Sequence, residues 1–375
     1  MADVNPGRER TGRLTWPVRR RAPGPEGTAE DIAVQDIAER EALDQRLPPP
    51  DPEPLVDPPP RFNLAALRLA ALGLALVLAL ALAVLRVFVG GPPSIDQLRA
   101  EAGVDGWKEL TIGVKDDQPG VAYYDKKTQI WSGFDIDMAY MIAEDLGFRQ
   151  QEVRFYAIES EDRSRMQATD PASSKRVPVK MVIASYSITA ERRASGVTFS
   201  DSYLYTEQSV VTLEHHPPVS TFRDLSGKKV CSLSTSTSAS ALMAAGADVI
   251  SKNRVSECFD LLYRAAVDAI STDAAILAGY KARDTADRIH HWDLGLDASE
   301  RWGVNVGENK ALQTLVDVTL YRSWKDPHDN RWEQAYQRNL QTEVQKNLPT
   351  PIAVAEQPPA PRPDVRQLPW ETDLP

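Results

Sequence analysis

The chain has 375 residues, with 43 Lys and Arg against 53 Asp and Glu and a formal net charge of −10 at neutral pH. That length and only 2 cysteines rule out a small disulfide-held scaffold. An acidic balance without a basic stripe argues against a nucleic-acid partner, because neutralising phosphates takes clustered Lys and Arg. Of the 28 prolines, 12 fall in residues 1–60, 8 in 349–375 and only 6 in 94–348, so two Pro-rich tails flank one foldable region.

In chain order, residues 1–62 come first and include LPPPDPEPLVDPPP over Leu47–Pro60. Proline supplies no backbone donor, so this cytoplasmic tail is expected to be extended and disordered, with at most a short helix over 30–45. Residues 63–89 are expected to form a transmembrane signal anchor. Leu69–Leu85 carries no charge, and the apolar run extends over Leu64–Val89 if Arg68 and Arg86 snorkel, which reaches the roughly 20 residues a bilayer requires. A cleaved signal peptide is the alternative, but a long segment precedes the run and no A-x-A site follows it directly. Nine arginines before the span, among them Arg8, Arg19 and Arg61, favour a cytoplasmic N-terminus and an extracytoplasmic domain.

From 94 to 348 strand and helix patterns alternate. Strands are predicted at Glu109–Lys115, Val153–Ala157, Val179–Ser185, Gln208–Leu213, Lys229–Leu233 and Val267–Thr272. Helical spacing of Phe134, Met138, Met141, Ile142 and Leu146 predicts a helix that Gly147 closes, and further helices are expected at Thr237–Ala244, Ser256–Ala266 and Asn309–Lys325. This alternation implies an α/β fold built from parallel βαβ units. Cys231 and Cys258 both lie inside this region, where an exported domain can oxidise them to a disulfide; two buried free thiols are the other reading. Residues 349–375 are expected to be a second disordered Pro-rich tail.

No G-x-S-x-G, P-loop or G-x-G-x-x-G motif is present. The histidines come as His215-His216, His290-His291 and His328, and adjacent pairs do not converge on one metal. No catalytic residue, metal or cofactor is therefore expected. The informative segment is VIASYSITAERRASGVTFSDSYLYTEQSVV (Val182–Val211), which ends a strand in Ser185, Ser187 and Thr189 and then places Arg192 in the first turn of a helix. Such an edge can hold an anion through amides and hydroxyls, and a guanidinium can grip a carboxylate.

Here the sequence resembles the periplasmic solute-binding proteins for polar amino acids, the extracytoplasmic components of ATP-driven uptake systems. The matching motifs are GFDIDMAYMIAEDLGF, ASYSITAERRASGVTFSDSYLYTE, DLSGKKVCSLSTSTSA, VDAISTDAAILAGY and ERWGVNVGENKALQTLVD, in the family's order. VKDDQPG, SYSIT and KVCS are similar to the actinobacterial glutamate-binding branch in particular. The resemblance implies a two-lobe type II periplasmic-binding-protein fold with a hinge over 94–348, with lobe one at 107–208 and 298–348 and lobe two at 209–297.

The resemblance also assigns roles. Arg192 would bind the ligand's α-carboxylate, Ser185 and Ser187 would bond the ligand, Ser236 and Thr237 would present helix-start amides, and Asp273 would pair with its ammonium. Lys115, where binders of basic amino acids place an acid, and Arg163, with Arg165 as the alternative, would suit an acidic side chain such as glutamate or aspartate. The branch commonly has an aromatic where this chain has Asp116, so either the apolar wall would come from Tyr123, Tyr124 or Trp131 or the pocket would suit a smaller or amidated ligand. The stretch Ala168–Lys180 is expected to be a surface loop. Three functions compete: the ligand-binding part of an ABC uptake system working with a permease, an amino-acid sensor with a membrane signalling partner, and, remotely, a dehydratase-like enzyme on the same fold.

Overall fold

The computed structural model describes residues 63–88, 91–170, 173–296, 298–348 and 350–366. The expected tail at 1–62, its helix over 30–45, and residues 367–375 lie outside them. The apolar run is one helix, Leu64–Phe88. Every side chain from Leu64 to Leu85 is exposed, and these 22 residues are long and apolar enough to cross a membrane.

The α/β fold begins at Ser94, whose hydroxyl and the Gln97 side chain form a capping box at the head of helix Ile95–Ala102. Strand β1 (Leu110–Val114) is buried at Leu110, Ile112, Gly113 and Val114, as suits a central strand covered on both faces. Short strands β2 (Asp117–Gln118), β3 (Ala122–Asp125) and β4 (Ile130–Ser132) form a small antiparallel sheet ahead of helix Phe134–Asp145. That helix buries Phe134, Met138, Met141 and Ile142, the positions its sequence period marks. The chain then adds β5 (Val153–Ala157), β6 (Gln167–Thr169), β7 (Arg176–Pro178), β8 (Met181–Val182) and β9 (Phe199–Thr206).

After Glu207 the chain passes into a second sheet. This sheet holds β10 (Gln208–Leu213), β11 (Lys229–Leu233), β12 (Asp248–Lys252), β13 (Ala269–Asp273) and β14 (Ile289–Trp292). It returns between Trp292 and β15 (Glu300–Asn305), which pairs with β9. Two lobes therefore share two crossings: a seven-stranded sheet ordered β7-β6-β5-β1-β8-β15-β9 and a five-stranded sheet ordered β12-β11-β13-β10-β14.

Several expectations change. Pairing is parallel for β1 with β5 and β8 and for β11 with β12 and β13, but antiparallel for β9, β10, β14 and β15, so the sheets are mixed. A strand that crosses from one lobe to the other must run against its neighbours, which βαβ reasoning does not anticipate. The stretch 168–180 contains the antiparallel pair β6–β7 at a sheet edge rather than a bare loop, with Ala168 buried. The cysteines form a disulfide, Cys231–Cys258, tying β11 to helix Val255–Tyr263.

The C-terminal tail expected to be disordered is ordered through residue 366. Ile352 and Ala360 are buried, and Ile352 packs with Ala274 and Ala278. Thr350 Oγ1 donates to the His291 carbonyl at 3.0 Å, Val354 N donates to Tyr205 O at 2.9 Å, and Gln357 Nε2 donates to Leu320 O at 3.3 Å. Arg366 N reaches Pro93 O at 3.0 Å, beside the start of the domain. Proline-rich backbone needs no sheet partner, but its few apolar and polar side chains can still seat on a preformed surface.

Candidate functional site

The site forms where strand ends from both lobes face each other. β8 ends at Val182, short of the predicted strand end at Ser185, which has φ of 43°, a left-handed conformation that is costly for a residue with a Cβ. Its N–H donates to Asp135 Oδ2 at 2.9 Å and its hydroxyl to Gln118 Oε1 at 3.0 Å, so buried partners hold the bend. Tyr203 OH also donates to Asp135, at 2.9 Å. Burial raises the Asp135 carboxyl to about 7, although both bonds pull it down.

Beyond that bend, Thr189 caps the short helix Ala190–Ala194 by accepting from Arg192 N, and this aims Arg192 across the cleft. Its guanidinium donates to Ser187 O at 2.5 Å and to Thr235 O, on the other lobe, at 2.7 Å. Arg163 is 3% exposed and donates to Ser160 O, Ala184 O and Ser185 O. Its Nη2 is buried with no acceptor among the described residues. Burial and then the Arg192 charge push Arg163 down to about 10. Tyr186 lies between both guanidiniums, with its ring centre 4.6 Å from Arg163 and 4.5 Å from Arg192, so its π-face helps hold two like charges together.

The second lobe supplies the opposite wall. Ser236 caps helix Thr237–Ala244 by accepting from Ala239 N at 3.1 Å, and that helix start points partial positive charge at the cleft. Asp273 ends β13, and its Oδ2 accepts from Trp302 Nε1 at 2.6 Å. Burial first, and then the Glu300 charge, raise its carboxyl well above the usual range, while Arg163 and Arg192 oppose the rise.

Arg163, Ser185, Ser187, Arg192, Ser236, Thr237 and Asp273 line one cleft, together with Leu233, Thr272 and Ile276. Its cavity is only about 10 Å³, far below the roughly 300–1,000 Å³ of drug-sized pockets, so the two walls stand almost in contact. Lys115 does not line it. Its ammonium donates to Ile158 O, Ser160 Oγ and Asn253 O at 3.1, 3.3 and 2.8 Å, which uses all three protons, and burial lowers it to about 8. Arg165 instead pairs with Asp162. The aromatic wall expected from Tyr123, Tyr124 or Trp131 is absent from this lining: Tyr124 and Trp131 pack against each other at a tilt and Arg283 covers Tyr123. Leu233 and Ile276 give the apolar contact instead. Sequence reasoning missed Tyr186 and Trp302; Tyr186, inside SYSIT, had a signal in its neighbours. His291, in one of the adjacent histidine pairs, is buried, held by Asn347 and Ser209.

A two-lobe α/β clamp with both walls of its cleft polar and oppositely charged is the architecture of a solute-binding protein. The chain belongs to the bacterial extracellular solute-binding proteins, family 3, whose profile matches residues 110–342. Among similar proteins, the glutamate-binding protein GluB of Corynebacterium efficiens is 33% identical over 228 residues, covering 58% of this chain and 74% of that protein. The ABC transporter glutamine-binding protein GlnH of Bacillus subtilis is 27% identical over 235 residues, covering 61% of this chain and 80% of that protein. An ancestral arginine-binding protein solved with glutamine bound is 27% identical, with a TM-score of 0.54, covering 62% of this chain and 98% of that one.

Proposed function

We propose that the chain is a membrane-anchored, extracytoplasmic receptor for an acidic amino acid, glutamate or aspartate, or for their amides, delivering it to an ABC permease. The carrying observation is the charge set of the cleft: two guanidiniums and a helix start against one carboxylate. An amino-acid zwitterion would place its α-carboxylate on Arg192 and the Ser236–Thr237 amides and its ammonium on Asp273. The remaining cation, Arg163, has a buried donor without an acceptor among the described residues, which favours a side chain ending in oxygen. Lys115 contributes no donor to this selection. The names of the relatives, glutamate-binding and glutamine-binding, point the same way.

The exposed apolar run Leu64–Leu85 supports the anchor, since such a surface is stable only in an apolar medium. A sensing role is the second reading, favoured by the ordered segment 350–366, which lies outside the span of the family match.

Calorimetry on the full chain in detergent micelles against the twenty amino acids tests the reading. Heat is expected with L-glutamate, L-aspartate or their amides. A signal confined to L-lysine and L-arginine would overturn the charge argument.

A further inference from the structure

Away from the cleft, the segment that follows β1 is seated on the other lobe, and the helix it touches is incomplete without it. Helix Val255–Tyr263 has Arg254 at its N-cap, and no side chain of its own accepts from its first amides. Asp117, from the first lobe, does: its Oδ2 accepts from Ser256 N at 2.9 Å. A carboxylate at this position satisfies an orphan donor and meets the positive end of the helix. The Arg254 side chain turns back across the same seam to Asp116, 2.7 Å away. Lys115 Nζ and Ser160 Oγ both donate to the Asn253 carbonyl, at 2.8 and 3.0 Å, and Tyr280 OH donates to Asp117 O at 2.5 Å.

One contact is steric. Gly279 lies in helix Ala274–Arg283 with its Cα against the first lobe, where an added Cβ would stand 1.9 Å from Pro119 O. No side chain fits there while the lobes are seated. Ala would otherwise favour the helix, because glycine is the poorer helix former.

We propose that residues 115–119 form a latch that sets ligand affinity from outside the cleft, by capping helix Val255–Tyr263 in trans and docking on the bare surface of Gly279. This rests on the binding reading above, because only closure joins Arg163 and Arg192 to Ser236, Thr237 and Asp273. Part of the closing free energy then comes from lobe-to-lobe bonds that any ligand shares. The cleft decides which solute is held, while the latch scales how tightly every solute is held. Asp117 and Gly279 act here as positioning residues.

The test uses the full chain in detergent micelles, with L-glutamate and L-glutamine as probes. Spin labels at Lys126→Cys and Met243→Cys, both exposed and one on each lobe, report the lobe-to-lobe distance. Gly279→Ala is expected to weaken both ligands by the same factor, about tenfold or more, to lengthen the distance without ligand, and to keep or raise the Tm. Asp117→Ala is expected to do the first two, and it carries the test should Gly279→Ala not fold. Wild-type affinity and distance in both variants would overturn the latch, as would weakened binding at an unchanged distance or an effect confined to one ligand. If the wild-type chain binds neither probe, the binding reading fails separately. The distance then decides for the latch: longer in Gly279→Ala supports it, unchanged overturns it.

Discussion

At the scale of single residues, the cleft joins groups whose charges are tolerable only in one another's company. Removing Arg192 or Asp273 with alanine leaves the ligand group assigned to it without a counter-charge in a desolvated site, so affinity is expected to fall by about 10- to 100-fold for each, measured by calorimetry. Arg163→Ala should reduce affinity for L-glutamate more than for L-alanine, since its buried donor is assigned to the side chain. Asp135 gives a pH prediction whose sign can be worked out. Its folded-state carboxyl titrates near 7 because of burial, against an ordinary value of 3.8. Between about pH 4 and 7 the native form therefore holds a proton that the unfolded chain has lost, and stability falls as pH rises through that window. Asp135→Asn should flatten this loss when Tm is compared at pH 5 and pH 8; equal slopes in both proteins would count against it.

At the scale of elements, the disulfide joins β11 to the helix whose N-terminus Asp117 caps. Closing a loop of 27 residues stabilises by about 3 kcal/mol in the chain-entropy model. Cys231→Ser with Cys258→Ser is expected to lower Tm by several degrees, and reductant should do the same to the wild-type chain only. Elements with a local signal were legible in the sequence: β5, β10 and β11 and helix Thr237–Ala244 have the predicted bounds. Arg192, Ser236 and Asp273 were also legible, because each stands at a strand end or helix start where backbone geometry presents it. The surroundings of Lys115 were not legible, since the sequence shows a cation at a strand end but not the three oxygens from two lobes that surround it. Trp302 and the cap from Asp117 were not legible, for they depend on contacts between residues 29 and 139 positions apart.

At the scale of the whole molecule, the segment 350–366 fastens both lobes across their crossings. It bonds the second sheet at His291, the crossing strand β9 at Tyr205, and the first lobe's helix Lys310–Lys325 at Leu320. Burying Ile352 and Ala360 is worth a few kcal/mol at most. A stop codon after Leu348 should therefore lower the Tm of the full chain by about 5 °C or more. Composition hid this segment because proline density reports what a backbone cannot bond to, and says nothing of surfaces that wait for it elsewhere.

The segment also has a topological consequence. Arg366 pairs with Ser94, so the last described residue of the domain lies beside the first residues that follow the apolar helix. A domain whose ends meet can be cut elsewhere and rejoined. A circular permutant with the ends fused and new termini opened between β6 and β7 should keep its cleft while changing where the chain starts.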